Sequence, residues 1–186
     1  HGGHLPLDVD NVAASTVCQR AASQAPSLLL CMPTVHYGFN EQGLDFPGTV
    51  SITEDNFIGY CCDIGNSLAR MGFRKMLFVN GHGGNSALLE IVARLVTART
   101  EALAAMINWW DLAQETIQQL AVERYRSGIT HCGDAETSVY LATVPDLVKM
   151  ELAKEELPAG EPGKWFWGGA SMFSAVRMMN VASRIT

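Results

Sequence analysis

A basic excess is missing from this 186-residue chain: 13 lysines and arginines face 19 acids, for a formal charge of −6. That balance argues against nucleic acid or an anionic membrane as partner, since both are held through clustered cations. Long apolar runs are missing too. None approaches the ~18 residues of a membrane span, and no secretory leader pattern is read at the amino end. The five cysteines (Cys18, Cys31, Cys61, Cys62 and Cys132) never stand in C-x-x-C spacing and are odd in number. This argues against cysteine-held zinc and against a disulfide framework; reduced, mostly buried thiols in a cytoplasmic protein are expected. Internal repeats, low-complexity tracts and linkers are also absent, so a single domain over residues 1–186 is expected. With 48% hydrophobic residues, what remains is a globular chain large enough for one core.

The most informative stretch is Lys75 to Asn85, KMLFVNGHGGN. Met76 to Val79 is a short apolar run of the kind found in a strand buried on both faces. It stops at Asn-Gly-His-Gly-Gly-Asn, and a helical pattern begins at Ser86. Glycines on both sides of His82 free the backbone to take positive φ and to approach a ligand closely. The carboxyl end of such a strand is where open α/β sheets form binding crevices. Two other readings compete with a catalytic one. The first is a plain strand-to-helix corner whose histidine only caps. The second is a dinucleotide cradle, but its third glycine would fall at Ser86, and Asn108-Trp109 stand where the later acid is needed.

The flanking chain supports an α/β pattern. His1 to Asp10 reads as a loop, with Asp8 or Asp10 as helix N-cap, followed by a helix over Asn11–Ala25. Ser27 to Met32 reads as a second buried strand. The irregular segment from His36 to Thr49 suits a functional loop. A helix is expected from Thr53 to about Met71, closed by Gly72 as C′ glycine. After the central strand come an amphipathic helix over Asn85–Arg99, a third strand over Ala102–Asn108 and a helix over Leu112–Tyr125. A loop through His131-Cys132-Gly133 then leads into a helix beginning near Glu136, and Leu147-Val148 reads as a short strand.

Chemistry collects on histidines near acids. His1, His82 and His131 lie on loops beside buried elements, and Asp10 and Glu136 are placed to join them. Imidazole nitrogen with carboxylate oxygen, and no thiolate, suits Zn²⁺, Mn²⁺ or Fe²⁺. A carboxylate can bridge two such ions about 3.5–4 Å apart, as two-metal hydrolases require.

Four segments in order carry a resemblance: His1-Gly2-Gly3-His4-Leu5-Pro6 through Asp10, Phe46-Pro47-Gly48-Thr49, Asn80 to Asn85, and His131-Cys132-Gly133 through Glu136-Thr137-Ser138. The chain resembles the creatininase family of metal-dependent amidohydrolases. The resemblance implies a three-layer α/β/α sandwich with a mostly parallel central sheet, and two divalent metal ions per chain (Zn, Mn or Fe). On the matching positions, His1 binds one metal, Asp10 bridges, His82 binds the other, and Glu136 replaces the acid that creatininase proper has at the position of Gly84. His131 matches the family's catalytic histidine, with proton transfer to the leaving nitrogen as its role, and Glu136 shares the catalytic assignment. His4, Gly81, Gly83 and Trp110 are the candidate substrate contacts.

Departures from the pattern are also present. The family motif begins E-x-H, and its metal-binding glutamate would lie two residues before His1, so a chain trimmed at both ends is expected. Gly43 stands where many relatives have histidine, and Gly128 where creatininase has aspartate. The implied activity is hydrolysis of a C–N bond in a small cyclic amide or formamide, creatinine-like or formamidopyrimidine-like, by a metal-activated water. A non-catalytic α/β binding or assembly subunit with an incomplete metal site is the alternative. The implied partners are a small-molecule amide and further copies of the chain in a homo-oligomer, a hexamer by family resemblance.

Overall fold

A computed structural model describes residues 2–121 and 132–153. The chain divides into two compact units, one spanning Tyr37–Asn108 and the other drawn from His1–His36 and Trp109–Thr186.

The Tyr37–Asn108 unit is a strand–helix–strand element with a helix before it. α2 (Glu54–Arg70) carries Phe57, Cys61, Cys62, Gly65 and Ala69 to the inside. It ends as the sequence predicts. Gly72 takes φ +98°, its N–H donates to Ala69 O at 3.0 Å, and Phe73 N–H donates to Leu68 O at 3.1 Å. These paired bonds close the last turn and satisfy carbonyls that the helix leaves open. β1 (Lys75–Asn80) then runs parallel to β2 (Leu103–Asn108), from Lys75 opposite Leu103 to Asn80 opposite Asn108. Between them α3 (Ser86–Arg99) buries Leu89, Val92, Ala93 and Val96, a spacing that lines one helix face and packs on β2 and α2. Val92 and Val96 are fully buried. Burial of each contributes about 1.5–3 kcal/mol.

β1 is not buried on both faces. Its burial alternates, and Leu77, exposed by 60%, lies on the open face of the sheet, as does Leu103 at 62%. An apolar run tells how much of a strand prefers burial, whereas the cover on each face is supplied by other parts of the chain. The class is α/β, with a parallel strand pair joined through a helix.

In the second unit, α1 (Val9–Gln24) packs on α5 (Asp134–Thr143). Leu5, Val9 and Tyr140 form a core cluster there, with Val12, Cys132, Val144 and Val148 packed against them. α1 opens two residues before the expected Asn11, so Asp10 lies in its first turn instead of the preceding loop. α4 (Gln114–Ala121) follows a tight turn over Asp111–Ala113. The rest of the expected Leu112–Tyr125 helix lies outside the described residues.

Two strand expectations are corrected. Ser27–Met32 has no regular structure, and Leu28 is 83% exposed. A strand exists only through a hydrogen-bonded neighbour, and among the described residues the only strand pairing is that of β1 with β2. The Leu147-Val148 strand is instead a tight turn over Pro145–Leu147, with Leu147 N–H donating to Val144 O at 3.0 Å. Pro145 fixes φ and lacks a ladder donor, which favours the turn. The cysteines are free; Cys61 and Cys62 are buried and Cys18, Cys31 and Cys132 are half-buried. Among the described residues, no helix is long and apolar enough to cross a membrane.

Candidate metal centre

His82 follows the end of β1 with extended backbone, φ −123° and ψ 123°, and a tight turn over Gly83–Asn85 delivers the chain into α3. The side chain of Asn80 reaches around the corner. Its Nδ2 donates to His82 O at 2.7 Å, and its Oδ1 accepts from His82 N–H at 3.2 Å. The loop that follows Tyr37 lies against this turn. Phe39 N–H donates to Asn85 Oδ1 at 3.0 Å, and the Gln42 side-chain nitrogen is 3.3 Å from His82 Nε2.

Gly84 serves close approach and not an unusual φ, which corrects the expectation of positive φ from sequence. Among the described glycines, positive φ is found at Gly48 and Gly72. A β-carbon at Gly84 would sit 2.6 Å from His82 Nε2 and would strike the Gln42 amide as well. Gly83 faces open space.

The other unit gathers a second group. Glu136, 9% exposed, stands in the first turn of α5, and its Oε2 accepts from Cys132 N–H at 2.6 Å. Cys132 holds φ 54°, a left-handed conformation that costs a non-glycine residue of order 1 kcal/mol, and its sulfur accepts from Gly2 N–H at 2.6 Å. His4 is buried, its Nε2 is 2.9 Å from Thr137 Oγ1, and its carbonyl accepts from Lys149 N–H at 2.9 Å. Burial lowers the His4 pKa and raises that of the Cys132 thiol. Asp8 occupies the N-cap position of α1 but makes no side-chain cap bond. Its carboxylate instead accepts from Tyr140 O–H at 2.5 Å. Burial and this bond together push the phenol above its ordinary range. Asp10 is half-buried in the first turn of α1. Trp110 is half-buried and meets the buried Trp109 edge to face, with ring centroids 5.7 Å apart.

The second unit therefore holds Asp10, Glu136 and His4, while His82, Gly81 and Gly83 belong to Tyr37–Asn108. His1 and His131 lie outside the described residues. Among those described, no three His, Cys, Asp or Glu side chains are gathered to hold an ion on their own. Several residues of these clusters carry no signal in the pattern of apolar residues. Asn108 ends β2, Thr137 and Tyr140 follow Glu136 on α5, and Gln42 lies in the loop. Asn80 and Thr137 were visible as parts of the motif segments, but the grip of Asn80 on His82 and the bond of Thr137 to His4 were not.

Comparison with known proteins decides the family. The model described as "Creatininase: Creatinine amidohydrolase" matches residues 1–182. The chain belongs to the creatininase family. Creatinine amidohydrolase of Pseudomonas putida is 34% identical over 178 residues, covering 87% of this chain and 67% of that protein. A mycofactocin precursor peptide peptidase of Mycobacterium ulcerans is 30% identical over 155 residues, covering 80% of this chain and 56% of the relative. The chain thus spans about two thirds of the first and little more than half of the second. A solved manganese form of creatininase superposes with TM-score 0.78 at 32% identity, covering 88% of this chain and 68% of that one. A Zn–Zn form of a creatininase mutant gives TM-score 0.74 at 33% identity, with the same coverage.

The donors in this family member fit such ions. His82 offers a borderline nitrogen, and Asp10 and Glu136 offer hard oxygens. Burial raises the pKa of the nearby Cys132 thiol, whose sulfur accepts from Gly2 N–H.

Proposed function

We propose that this chain is part of a metal-dependent amidohydrolase that cleaves the C–N bond of a small cyclic amide or formamide. The supporting observation is the family match over residues 1–182, a span that includes the four motif segments, with His82 just past the end of a parallel strand. His1, Asp10, His82 and Glu136 are the proposed ligands of two divalent ions, which when bound would acidify a water and polarise the substrate carbonyl.

The remaining roles belong to this chain's own groups. An amide nitrogen leaves poorly as an anion, so a proton must reach it as the bond breaks. His131 is the proposed donor, because imidazole with a pKa of about 6.5 both holds and releases a proton near neutrality. Such a general acid contributes about 10²–10⁴-fold to the rate. Glu136 is oriented for its part by the Cys132 N–H, at 2.6 Å. Gly81, Gly83, His4 and Trp110 are proposed to border the substrate. Cytoplasmic placement and assembly as a homo-oligomer, a hexamer on the family pattern, complete the reading.

Elemental analysis of the full-length protein, paired with formate and creatine release from formamidopyrimidines and creatinine, tests it. Two metal equivalents that fall in His82→Ala are expected, along with a turnover loss of about 10²–10⁴-fold in His131→Ala with metal retained. A protein that binds no metal and turns over neither substrate class is instead a binding or assembly subunit.

A further inference from the structure

His82 is held by its main chain, and one side chain holds both ends of it. Asn80 Oδ1 accepts the His82 N–H at 3.2 Å, and Asn80 Nδ2 donates to the His82 carbonyl at 2.7 Å. That carbonyl also accepts from Asn85 N–H at 3.0 Å. Asn80 in turn is fixed from behind. It is 2% exposed, and its Nδ2 also reaches Asn108 Oδ1 at 2.8 Å and Ser86 Oγ at 3.1 Å. Ser86 O–H closes the ring by donating to Asn108 Oδ1 at 2.8 Å. Asn80 and Asn108 are register partners at the ends of the two parallel strands.

Polar groups this buried are costly unless satisfied, and a satisfied network admits one arrangement. Here that arrangement clamps the backbone from which the imidazole projects. A side chain that must meet a ligand has to be held within about 0.5 Å. We infer that Asn80 is a positioning residue for His82, with Asn108 and Ser86 setting the orientation of its amide. The inference rests on the reading of His82 as a metal ligand. It adds a requirement that no local feature of the glycine turn reveals: an asparagine from a strand distant in sequence has to be present.

The test uses the full-length protein, titrated with Mn²⁺ and Zn²⁺ by calorimetry, with circular dichroism and melting temperature recorded for each variant. Asn80→Ala removes both bonds to His82. Asn80→Asp keeps an acceptor for the N–H but sets a carboxylate against the carbonyl. Both are expected to weaken metal binding by about 10–100-fold while remaining folded, the range seen when a residue that orients a ligand is lost. Their ¹⁵N-histidine spectra should show a shifted His82 ring. Thr97→Val is the structural control: it deletes another side-chain bond to strand backbone, Thr97 Oγ1 with Ala104 N–H at 2.9 Å, remote from His82. It is expected to lower the melting temperature and leave metal affinity unchanged.

Wild-type affinity in folded Asn80 variants, with His82→Ala losing the metal, overturns the inference and leaves the ligand reading intact. Unchanged binding in His82→Ala overturns the ligand reading, and the inference falls with it. If the Asn80 variants do not fold, Asn108→Ala decides. It leaves both bonds to His82 in place but frees the amide to rotate, so a several-fold loss supports the clamp and no loss refutes it.

Discussion

Gly65 on α2 and Val96 on α3 set how closely these two helices approach, and replacing Gly65 by alanine measures that approach. A β-carbon at 65 would lie 2.6 Å from Val96 Cγ2 and 3.3 Å from Cγ1. Carbon atoms in contact prefer about 3.5–4.0 Å, so the helices would have to part by about 1 Å. Val96 is fully buried, and a β-branched side chain in a helix has essentially one rotamer, so it cannot swing aside. Overpacking of this kind costs about 1–3 kcal/mol, and the better helix propensity of alanine returns at most about 1 kcal/mol. Gly65→Ala is therefore expected to destabilise by up to about 2 kcal/mol. Gly59 supplies the matched comparison: it lies on the same helix, is exposed, and has nothing within 4 Å of where its β-carbon would stand. Gly59→Ala should stabilise by up to about 1 kcal/mol through propensity alone. Urea denaturation followed by circular dichroism reads both, and Val96→Ala should cost less in the Gly65→Ala background than in wild type. If Gly65→Ala stabilises as much as Gly59→Ala, the helices do not touch at this point and the packing described is wrong.

Two more outcomes are expected alongside those for metal binding and the Asn80 clamp. The raised pKa of Tyr140 means that the folded state keeps its phenol proton where the unfolded chain loses it. Its contribution is present in full below about pH 10 and is lost as pH climbs further, so wild type should weaken in alkali more steeply than Tyr140→Phe, which keeps only the share of the other groups with raised pKa, such as Cys61. At neutral pH the same variant should be less stable by about 1.5–3 kcal/mol, the worth of a hydrogen bond to a carboxylate, as read by the urea midpoint. Burial, with Cys62 beside it, raises the Cys61 thiol to about 11. It should resist iodoacetamide at pH 7.5 in the native protein and react fully in urea; rapid native labelling would contradict its burial.

What the sequence made legible was whatever a local rule governs. The Gly72 helix stop, the α3 stripe of Leu89, Val92 and Val96, and the two strands that flank α3 follow from spacing and turn chemistry within a few residues, the first strand running one residue past the expected Val79. The Ser27–Met32 run failed because hydrophobicity alone names no pairing partner. Leu77 failed for a related reason, since nothing in β1 states what covers its second face. The contacts of His4 with Thr137 and of Asp8 with Tyr140 join residues more than 130 positions apart, a distance over which periodicity carries no information. The motif residues themselves were readable, but the clamp that Asn80 makes was not, because its far side comes from β2.

Because Asn80 and Asn108 face each other in register, the glycine turn is written partly into strand length. Adding or deleting one residue in β2 would rotate Asn108 to the opposite face of the pleat and leave the histidine corner without its counterpart. Anyone transplanting this corner into a foreign parallel scaffold must therefore move both asparagines together with their alignment, since the hexapeptide from Asn80 to Asn85 would travel without half of what shapes it.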